Sequence, residues 1–318
     1  MNKVIRIGTR ESQLAVWQAT LVQQLLAKNN ISSELVFIKS EGDIDLKTPL
    51  YEIGVQGIFT RSLDIALLNN KIDIAVHSMK DVPTHLPQGI VQSAVLPRAS
   101  YKDIFVFKGD APTLHKQLGY NYGTWETSVD IPFTIATSSI RRMAQWLHRY
   151  PHHTIENLRG NVNTRLRKVQ DNNWQGAIFA AAGLERINLR PDNSIDLDWM
   201  LPAPAQGAIM VVCREGDDFC LDACELFNDP NTATCCKIER DFLRILLGGC
   251  STPISALAEI TDDKIYFQGN ILSPDGKEKI SIEKFIKKEN TLNAGKELAQ
   301  EILLNGGEKI AQLIRDAK

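Results

Sequence analysis

No stretch of this sequence comes near the roughly 20 consecutive apolar residues that a membrane-spanning helix needs. Its start, Met1-Asn2-Lys3-Val4-Ile5-Arg6-Ile7-Gly8, meets Arg6 after two apolar residues, so no apolar core of a secretory leader is expected. Surplus charge is also missing, and a net value of −2 selects neither nucleic acid nor an anionic membrane. Cysteine does not occur before position 213, and none of the six cysteines forms a C-x-x-C pair. With His148, His152 and His153 far from them in sequence, no zinc site is expected. Neither G-x-x-x-x-G-K-[ST] nor G-x-G-x-x-G after a strand is present, which removes the usual nucleotide signatures.

What is there is 318 residues, 43% hydrophobic and 23% charged. Such a chain is too long for one comfortable core and should form two or three domains of a cytoplasmic protein with reduced thiols. Its most informative stretch is Ile74-Ala75-Val76-His77-Ser78-Met79-Lys80-Asp81-Val82-Pro83. Ile72, Ile74, Ala75 and Val76 suit a strand buried on both faces, and Pro83 cannot donate to a ladder, so pairing should stop near Asp81. Asp81 then stands at a strand's C-terminal end, the edge where open α/β sheets bind ligands. Taken alone, these ten residues are explained more simply by an Asp that opens a turn before Pro83.

Upstream, Val4-Ile5-Arg6-Ile7 reads as a strand and Ser12 as the N-cap of a helix with Leu14, Trp17, Leu21 and Leu25 on one face. Leu35-Val36-Phe37-Ile38 reads as the next strand, parallel to the first by the right-handed crossover rule. Arg10 therefore lies at the same sheet edge as Asp81. Residues 43–60, with Pro49, Gly54 and Gly57 and no sustained period, read as a loop or lid. Helix 61–69 and strands 72–78 and 90–96 follow, and the chain should cross into a second domain near 98–102.

Three strand-to-helix junctions in that second domain carry arginines. Ser138-Ser139 opens a helix with Arg141 and Arg142 in its first turn and Ile140, Met143, Ala144 and Leu147 on its expected buried face. Leu158 to Arg165 carries Arg159 and Arg165, and Ala177 to Arg186 carries Arg186. Cations in a first turn oppose the helix dipole by a few tenths to about one kcal/mol each unless an anion docks. Each arginine alone reads as solvated surface. Five at one edge predict a ligand with several anionic groups, and without a nucleotide motif a polycarboxylate is preferred. No stacking aromatics interleave them, which argues against single-stranded nucleic acid.

Leu201-Pro202-Ala203-Pro204-Ala205-Gln206-Gly207-Ala208 reads as a connection between lobes, after which the strand Ala208 to Cys213 should return to the first sheet. The expected domains are 1–98 with 205–225, then 99–204, then a small α+β unit over 226–318. That unit should hold helix 232–247, strands near 254–260 and 264–272, a turn at Ser273-Pro274-Asp275-Gly276, another strand and two amphipathic helices. Cys213 lies in an apolar strand, Cys220 and Cys224 share a helix face with Phe227, and Cys235 shares one with Ile238, Phe242 and Leu246. Cys250, in Leu247-Gly248-Gly249-Cys250-Ser251-Thr252-Pro253, stands on a loop off any apolar face. It is either a partly buried structural thiol or a presented nucleophile or covalent anchor.

Gly8-Thr9-Arg10-Glu11-Ser12-Gln13-Leu14-Ala15, Ala75 to Pro83, Thr137-Ser138-Ser139-Ile140-Arg141-Arg142, Leu158 to Arg165 and Leu247-Gly248-Gly249-Cys250 occur here in the order of one known family. On these motifs the chain resembles the porphobilinogen deaminases, or hydroxymethylbilane synthases, along nearly its whole length. The resemblance implies two hinged, periplasmic-binding-protein-like α/β lobes plus a small C-terminal α+β domain. It implies a transferase of porphyrin and haem biosynthesis that joins four porphobilinogens in turn onto a dipyrromethane, linked by a thioether to Cys250. The product would be the linear tetrapyrrole hydroxymethylbilane, with ammonia released at each addition. Asp81 would be the catalytic group. Lys80, Ser139, Arg141, Arg142 and Arg165 would hold the cofactor, and Arg10, Ser12, Arg159, Arg165 and Arg186 the incoming ring or growing chain. It further implies a monomer with no metal, nucleic-acid or membrane partner.

The sequence departs from the family at Gly54-Val55-Gln56-Gly57-Ile58-Phe59, where relatives usually show Gly-Gly-Lys-Gly-Leu-Phe. Gln56 thus replaces a lid lysine, whose contact would fall to Arg61 if anything supplies it. Residues 117–133 match no pattern and receive no role. A non-catalytic two-lobed anion-binding protein would account for the arginines equally well, but it has no use for a thiol displayed as Cys250 is.

Overall fold

Apolar runs without polar alternation make strands covered on both faces, and this chain builds two sheets of that kind. The computed structural model describes residues 3–39, 60–121, 123–126, 131–246 and 252–316. It opens with β1 (Ile5–Thr9), α1 (Gln13–Lys28), β2 (Ser33–Phe37), α2 (Arg61–Leu68), β3 (Ile74–Ser78) and β4 (Ile90–Val95). Next come β5 (Asp103–Phe107), α3 (Ala111–Leu118), the short pair β6 (Tyr120–Asn121) and β7 (Thr124–Trp125), then β8 (Thr134–Ala136) and α4 (Ile140–Arg149). After β9 (Thr154–Glu156), α5 (Val162–Asp171), β10 (Gly176–Ala180), α6 (Ala181–Glu185) and β11 (Ser194–Asp196), the chain returns through β12 (Ile209–Arg214), α7 (Asp218–Glu225) and α8 (Pro230–Leu246). It closes with β13 (Ile254–Thr261), β14 (Lys264–Leu272), β15 (Lys279–Lys287), α9 (Ala294–Ile302) and α10 (Glu308–Asp316).

The first sheet has the order β2-β1-β3-β12-β4 and the second β11-β5-β10-β8-β9. β1 and β2 pair in parallel, as the crossover rule requires, and β12 inserts antiparallel between β3 and β4. Two connections therefore join the lobes, one from β4 to β5 and one from β11 to β12. Both faces of β3 are covered: Ile74 and Val76 enter one core, Ala75 the other. The three antiparallel strands β13-β14-β15 and helices α8, α9 and α10 enclose a separate core around Phe242 and Phe267. The chain is thus two α/β lobes with a small α+β unit.

Trp17, Leu21 and Leu25 of the expected α1 face pack against the core, and the expected α4 face is rotated. In α1 the deepest residues are Gln18, Ala19, Val22 and Leu26, whereas Leu14, Trp17, Leu21 and Leu25 are half-buried. Gln18 is held inward because its Nε2 donates to Ser78 Oγ at 2.9 Å. Trp17 stays at the rim, where the Arg186 guanidinium lies 5.7 Å from its ring centre. In α4 the buried residues are Arg141, Arg142, Ala144, Gln145 and Trp146, while Ile140, Met143 and Leu147 are only half-buried. A reading that counts apolar residues cannot foresee this, because the buried face is set by a carboxylate elsewhere. The strands β9 and β11 and helix α3 were not foreseen, since elements of three to eight residues carry little periodicity.

The two connections pack on each other. Gly207 has φ +86°, and a Cβ there would stand 2.6 Å from the Ala99 carbonyl oxygen and 2.8 Å from that of Ser100. Only glycine fits. The fully buried Glu239 of α8 accepts from Arg98 Nη2 at 2.8 Å, Ala205 N at 2.6 Å and Ala258 N at 2.7 Å, so one carboxylate ties both connections to β13.

At the opposite end of the first sheet, buried Asp73 accepts from Arg6 N, Nε and Nη2 and from Arg214 Nη2. Burial alone would raise this carboxyl, but the hydrogen bonds from Arg6 and Arg214 outweigh it and hold the value at about 2. A carboxyl depressed on folding stabilises fully above its unfolded value near 3.9, and that contribution disappears as pH falls through the folded value. Between pH 4 and 2.5 the melting temperature of Asp73→Asn should therefore fall less steeply than that of the wild type. Equal slopes in thermal unfolding would refute the assignment.

Candidate functional site

β3 ends at Ser78, the end expected for strand 72–78. Met79 N makes one more link, to the Ala208 carbonyl, and the chain then closes a single 3₁₀ turn over Met79–Asp81, with Val82 N donating to Met79 O at 3.2 Å. Met79 and Val82 are both plugged into the core, which leaves the residues between them, Lys80 and Asp81, half-buried at the surface of the cleft. A turn anchored by apolar residues at its two ends thus presents an ammonium and a carboxylate together.

The hydroxyls assigned to ligands also have local work. Ser12 caps α1, accepting from Ala15 N at 3.4 Å, and Ser139 caps α4, accepting from Arg142 N at 3.4 Å. Asn161 does the same for α5 through Thr164 N. Each cap turns an arginine-bearing loop into a helix at one sheet edge.

The residue that sequence reading missed is Asp103, at the start of β5. Its fully buried carboxylate accepts from Arg141 Nη2 at 2.7 Å, and from Arg142 Nε at 3.1 Å and Nη2 at 2.7 Å. Arg141 Nη1 also donates to the Leu201 carbonyl, and Arg142 Nη1 to that of Ile178. The two cations that oppose the α4 dipole thus have an internal counter-ion. Burial would push the Asp103 carboxyl up, but Arg141, Arg142 and Lys80 hold it at about 2. Gln206 completes the link: its Nε2 donates to Asp103 Oδ1 at 3.0 Å and to the Tyr101 carbonyl at 2.7 Å, while Lys80 Nζ donates to its Oε1 at 3.4 Å. One side chain on the interlobe connection joins the Lys80 turn to the arginine pair. The available clue was Asp103 itself, an acid opening a wholly buried apolar strand.

Electrostatics shows which groups share the site. Burial lowers Lys80 to about 8, with Asp81 and Asp103 raising it and Arg142 and Arg141 lowering it. Burial lowers Arg165 to about 10, with Arg142, Arg159 and Arg10 acting in the same direction and Asp81 against them. His77 is pushed down to about 4 by burial and then by Arg10, so the imidazole is neutral at neutral pH. Lys80 thus interacts with Asp81, Asp103, Arg141 and Arg142, and Arg165 with Asp81, Arg10, Arg142 and Arg159, so six cations are coupled to two carboxylates and the excess is cationic. Arg165 is oriented by the Gly160 carbonyl, to which its Nε donates at 2.7 Å, and Arg159 is buried. Arg186 stands apart from this group. Its Nη2 donates to the Gly207 carbonyl at 2.7 Å and its guanidinium covers Trp17.

Residues 5–222 match the family model described as "Porphobilinogen deaminase, dipyromethane cofactor binding domain", and residues 233–304 match "Porphobilinogen deaminase, C-terminal domain". The chain belongs to the porphobilinogen deaminase family. It is 40% identical to the porphobilinogen deaminase of Moorella thermoacetica over 98% of this chain and 96% of that one. It is 38% identical to the Campylobacter hominis protein of that name over 96% of each. The chloroplastic porphobilinogen deaminase of Pisum sativum is also 38% identical, over 96% of this chain and 82% of its own. Among solved structures, the methionine-binding protein MetQ matches 72% of this chain and 91% of its own at 14% identity, with a TM-score of 0.43.

Two residues that bear on the family reading, Cys250 and Gln56, lie outside the described residues, as do Gly248 and Gly249. Arg61, the expected stand-in for the lid lysine, is exposed at the start of α2. The other five cysteines are free and buried, and burial raises every one of their thiols, to about 11 at Cys213 and Cys235 and about 12 at Cys224 and Cys236. Among the described residues no group of three or more His, Cys, Asp or Glu could hold a metal, and no helix is long and apolar enough to cross a membrane.

Proposed function

We propose that this chain makes hydroxymethylbilane from four porphobilinogens on a dipyrromethane held through Cys250, with Asp81 as the catalytic carboxylate. The observation that carries the reading is the cationic excess gathered beside that one presented carboxylate. A dipyrromethane bears an acetate and a propionate on each ring, and the donor set fits four carboxylates. Arg141 Nε is buried without a partner, a donor left over after Asp103 has taken Nη2 and the Leu201 carbonyl Nη1. Cys250 is favoured as the anchor because the raised thiols of the other five cysteines make poor nucleophiles.

When bound, the dipyrromethane supplies the pyrrole carbon that accepts the first unit. Lys80, Ser139, Arg141, Arg142 and Arg165 would hold its carboxylates, with Asp103 keeping the Arg141 and Arg142 guanidiniums aimed. Arg10, Ser12, Arg159 and Arg165 receive the acetate and propionate of the incoming ring, and Arg186 meets the growing chain from the rim beside Gly207. Lys80, at about 8, keeps its proton at neutral pH and serves as a cation. Loss of ammonia from porphobilinogen leaves positive charge on the substrate's methylene and pyrrole nitrogen. The fixed Asp81 carboxylate stabilises that charge as it develops and takes up a proton when the new C–C bond forms. The reading extends to a cytoplasmic monomer.

The test is the intact mass of the purified protein before and after porphobilinogen, beside Cys250→Ala. The wild type should carry a dipyrromethane mass that is absent from the variant and should release hydroxymethylbilane. A wild-type chain that remains unmodified and leaves porphobilinogen unconsumed would overturn the proposal.

A further inference from the structure

We infer that Arg240, on α8, is a positioning residue for the Lys80-Asp81 turn; the inference rests on the reading of Asp81 as the catalytic carboxylate. The guanidinium reaches the turn from 157 to 161 positions away in sequence. Its Nη1 donates to the carbonyls of Met79 at 3.3 Å and Val82 at 2.9 Å, and its Nη2 to that of Pro83 at 2.6 Å. These three carbonyls bracket Lys80 and Asp81, one before and two after.

A single 3₁₀ turn holds itself weakly. Here its one closing bond is Val82 N to Met79 O at 3.2 Å, and the carbonyls at its C-terminal end have no helical partner. A planar five-donor fork satisfies several such carbonyls at once and fixes their relative positions, which a lysine ammonium on a flexible stem does not. Glu239, one position earlier, grips Arg98 and Ala205 of the two interlobe connections. Consecutive residues of α8 therefore hold the connections and the Asp81 turn to the same helix. That helix ends at Leu246, shortly before the position of Cys250 in sequence. Arg240 thus sets where the Asp81 carboxylate stands relative to the unit that carries the anchor.

Displacement of a reacting group by about 1 Å costs on the order of 100-fold in rate. Arg240→Gln should lower kcat about 10- to 100-fold with KM for porphobilinogen changed by less than about threefold, the dipyrromethane mass intact, and covalent intermediates accumulating in the mass spectrum. Arg240→Lys, which keeps the charge but loses the fork, should fall between the two. Arg244→Gln, one turn further along α8 and bonded to Asp241, should leave kcat unchanged. If Arg240→Gln does not fold, Arg240→Lys carries the test. A kcat within twofold of wild type in the folded variant, or an equal loss in Arg244→Gln, overturns the role of Arg240. An Asp81→Asn protein as active as wild type overturns instead the reading on which it rests.

Discussion

Asp81→Asn is expected to lower hydroxymethylbilane formation about 10³-fold while leaving fold, attached cofactor and porphobilinogen affinity near wild type. The substitution is isosteric, and the turn over Met79–Asp81 is held by backbone bonds and by the buried Met79 and Val82, none of which uses the Asp81 carboxylate. What is lost is one negative charge in a cluster that contains Arg10, Lys80, Arg142, Arg159 and Arg165. On the proposed roles those cations would bind carboxylates of cofactor and substrate, and removing an anion among them would not weaken that binding. Charge development on the substrate is a different matter, because it is positive and the remaining field opposes it. The loss should therefore fall on kcat and spare KM, the signature of an interaction made in the transition state. Steady-state kinetics with intact mass as the cofactor control decides it. Turnover within about fivefold of wild type would remove Asp81 from the chemistry.

Asp103→Asn should be the most destabilising single change at the site. Breaking a buried ion pair by removing one partner costs about 3–5 kcal/mol, and here it strands two guanidiniums at once. A fall in melting temperature on the order of 10 °C follows for a chain of this size. The Arg141 and Arg142 forks would lose their common anchor, so the fraction of protein carrying dipyrromethane should drop as well. Asp103 is also one of two carboxylates that raise Lys80, so its removal should move an alkaline limb set by Lys80 to lower pH than in the wild type. The direction follows because Lys80 gives up its proton more readily when a nearby anion is neutralised. Unchanged melting temperature, cofactor content and alkaline limb would show that the pair does not organise the site.

Legibility in the sequence followed the range of each interaction. The strand at β3, the caps Ser12 and Ser139, the return of β12 to the first sheet and the core roles of Cys220, Cys224 and Cys235 were readable from neighbours a few residues apart. So was the family, from five ordered motifs. The arginines at strand-to-helix junctions were readable, but not the carboxylate that pairs two of them. Arg141 and Arg142 lie 38 and 39 positions from Asp103, and no periodicity connects them. The rotated face of α4 has the same origin, since side chains drawn inward by Asp103 override the apolar count, and Ser78 likewise holds Gln18 of α1 inward. Cys250 and the lid around Gln56 were legible only as sequence, because they lie outside the described residues.

By itself, then, the amino-acid sequence determined the two α/β lobes, the small α+β unit and the family, because strand periodicity, capping and motif order are properties of adjacent residues. Only the tertiary structure decided that Asp103 counters the arginine pair, that Gln206 links it to Lys80, that Arg186 covers Trp17 and that Arg240 grips the Asp81 turn. These contacts join residues far apart in sequence, some of them from different lobes or units, and they come into being when the sheets close and bury charges that must then find partners.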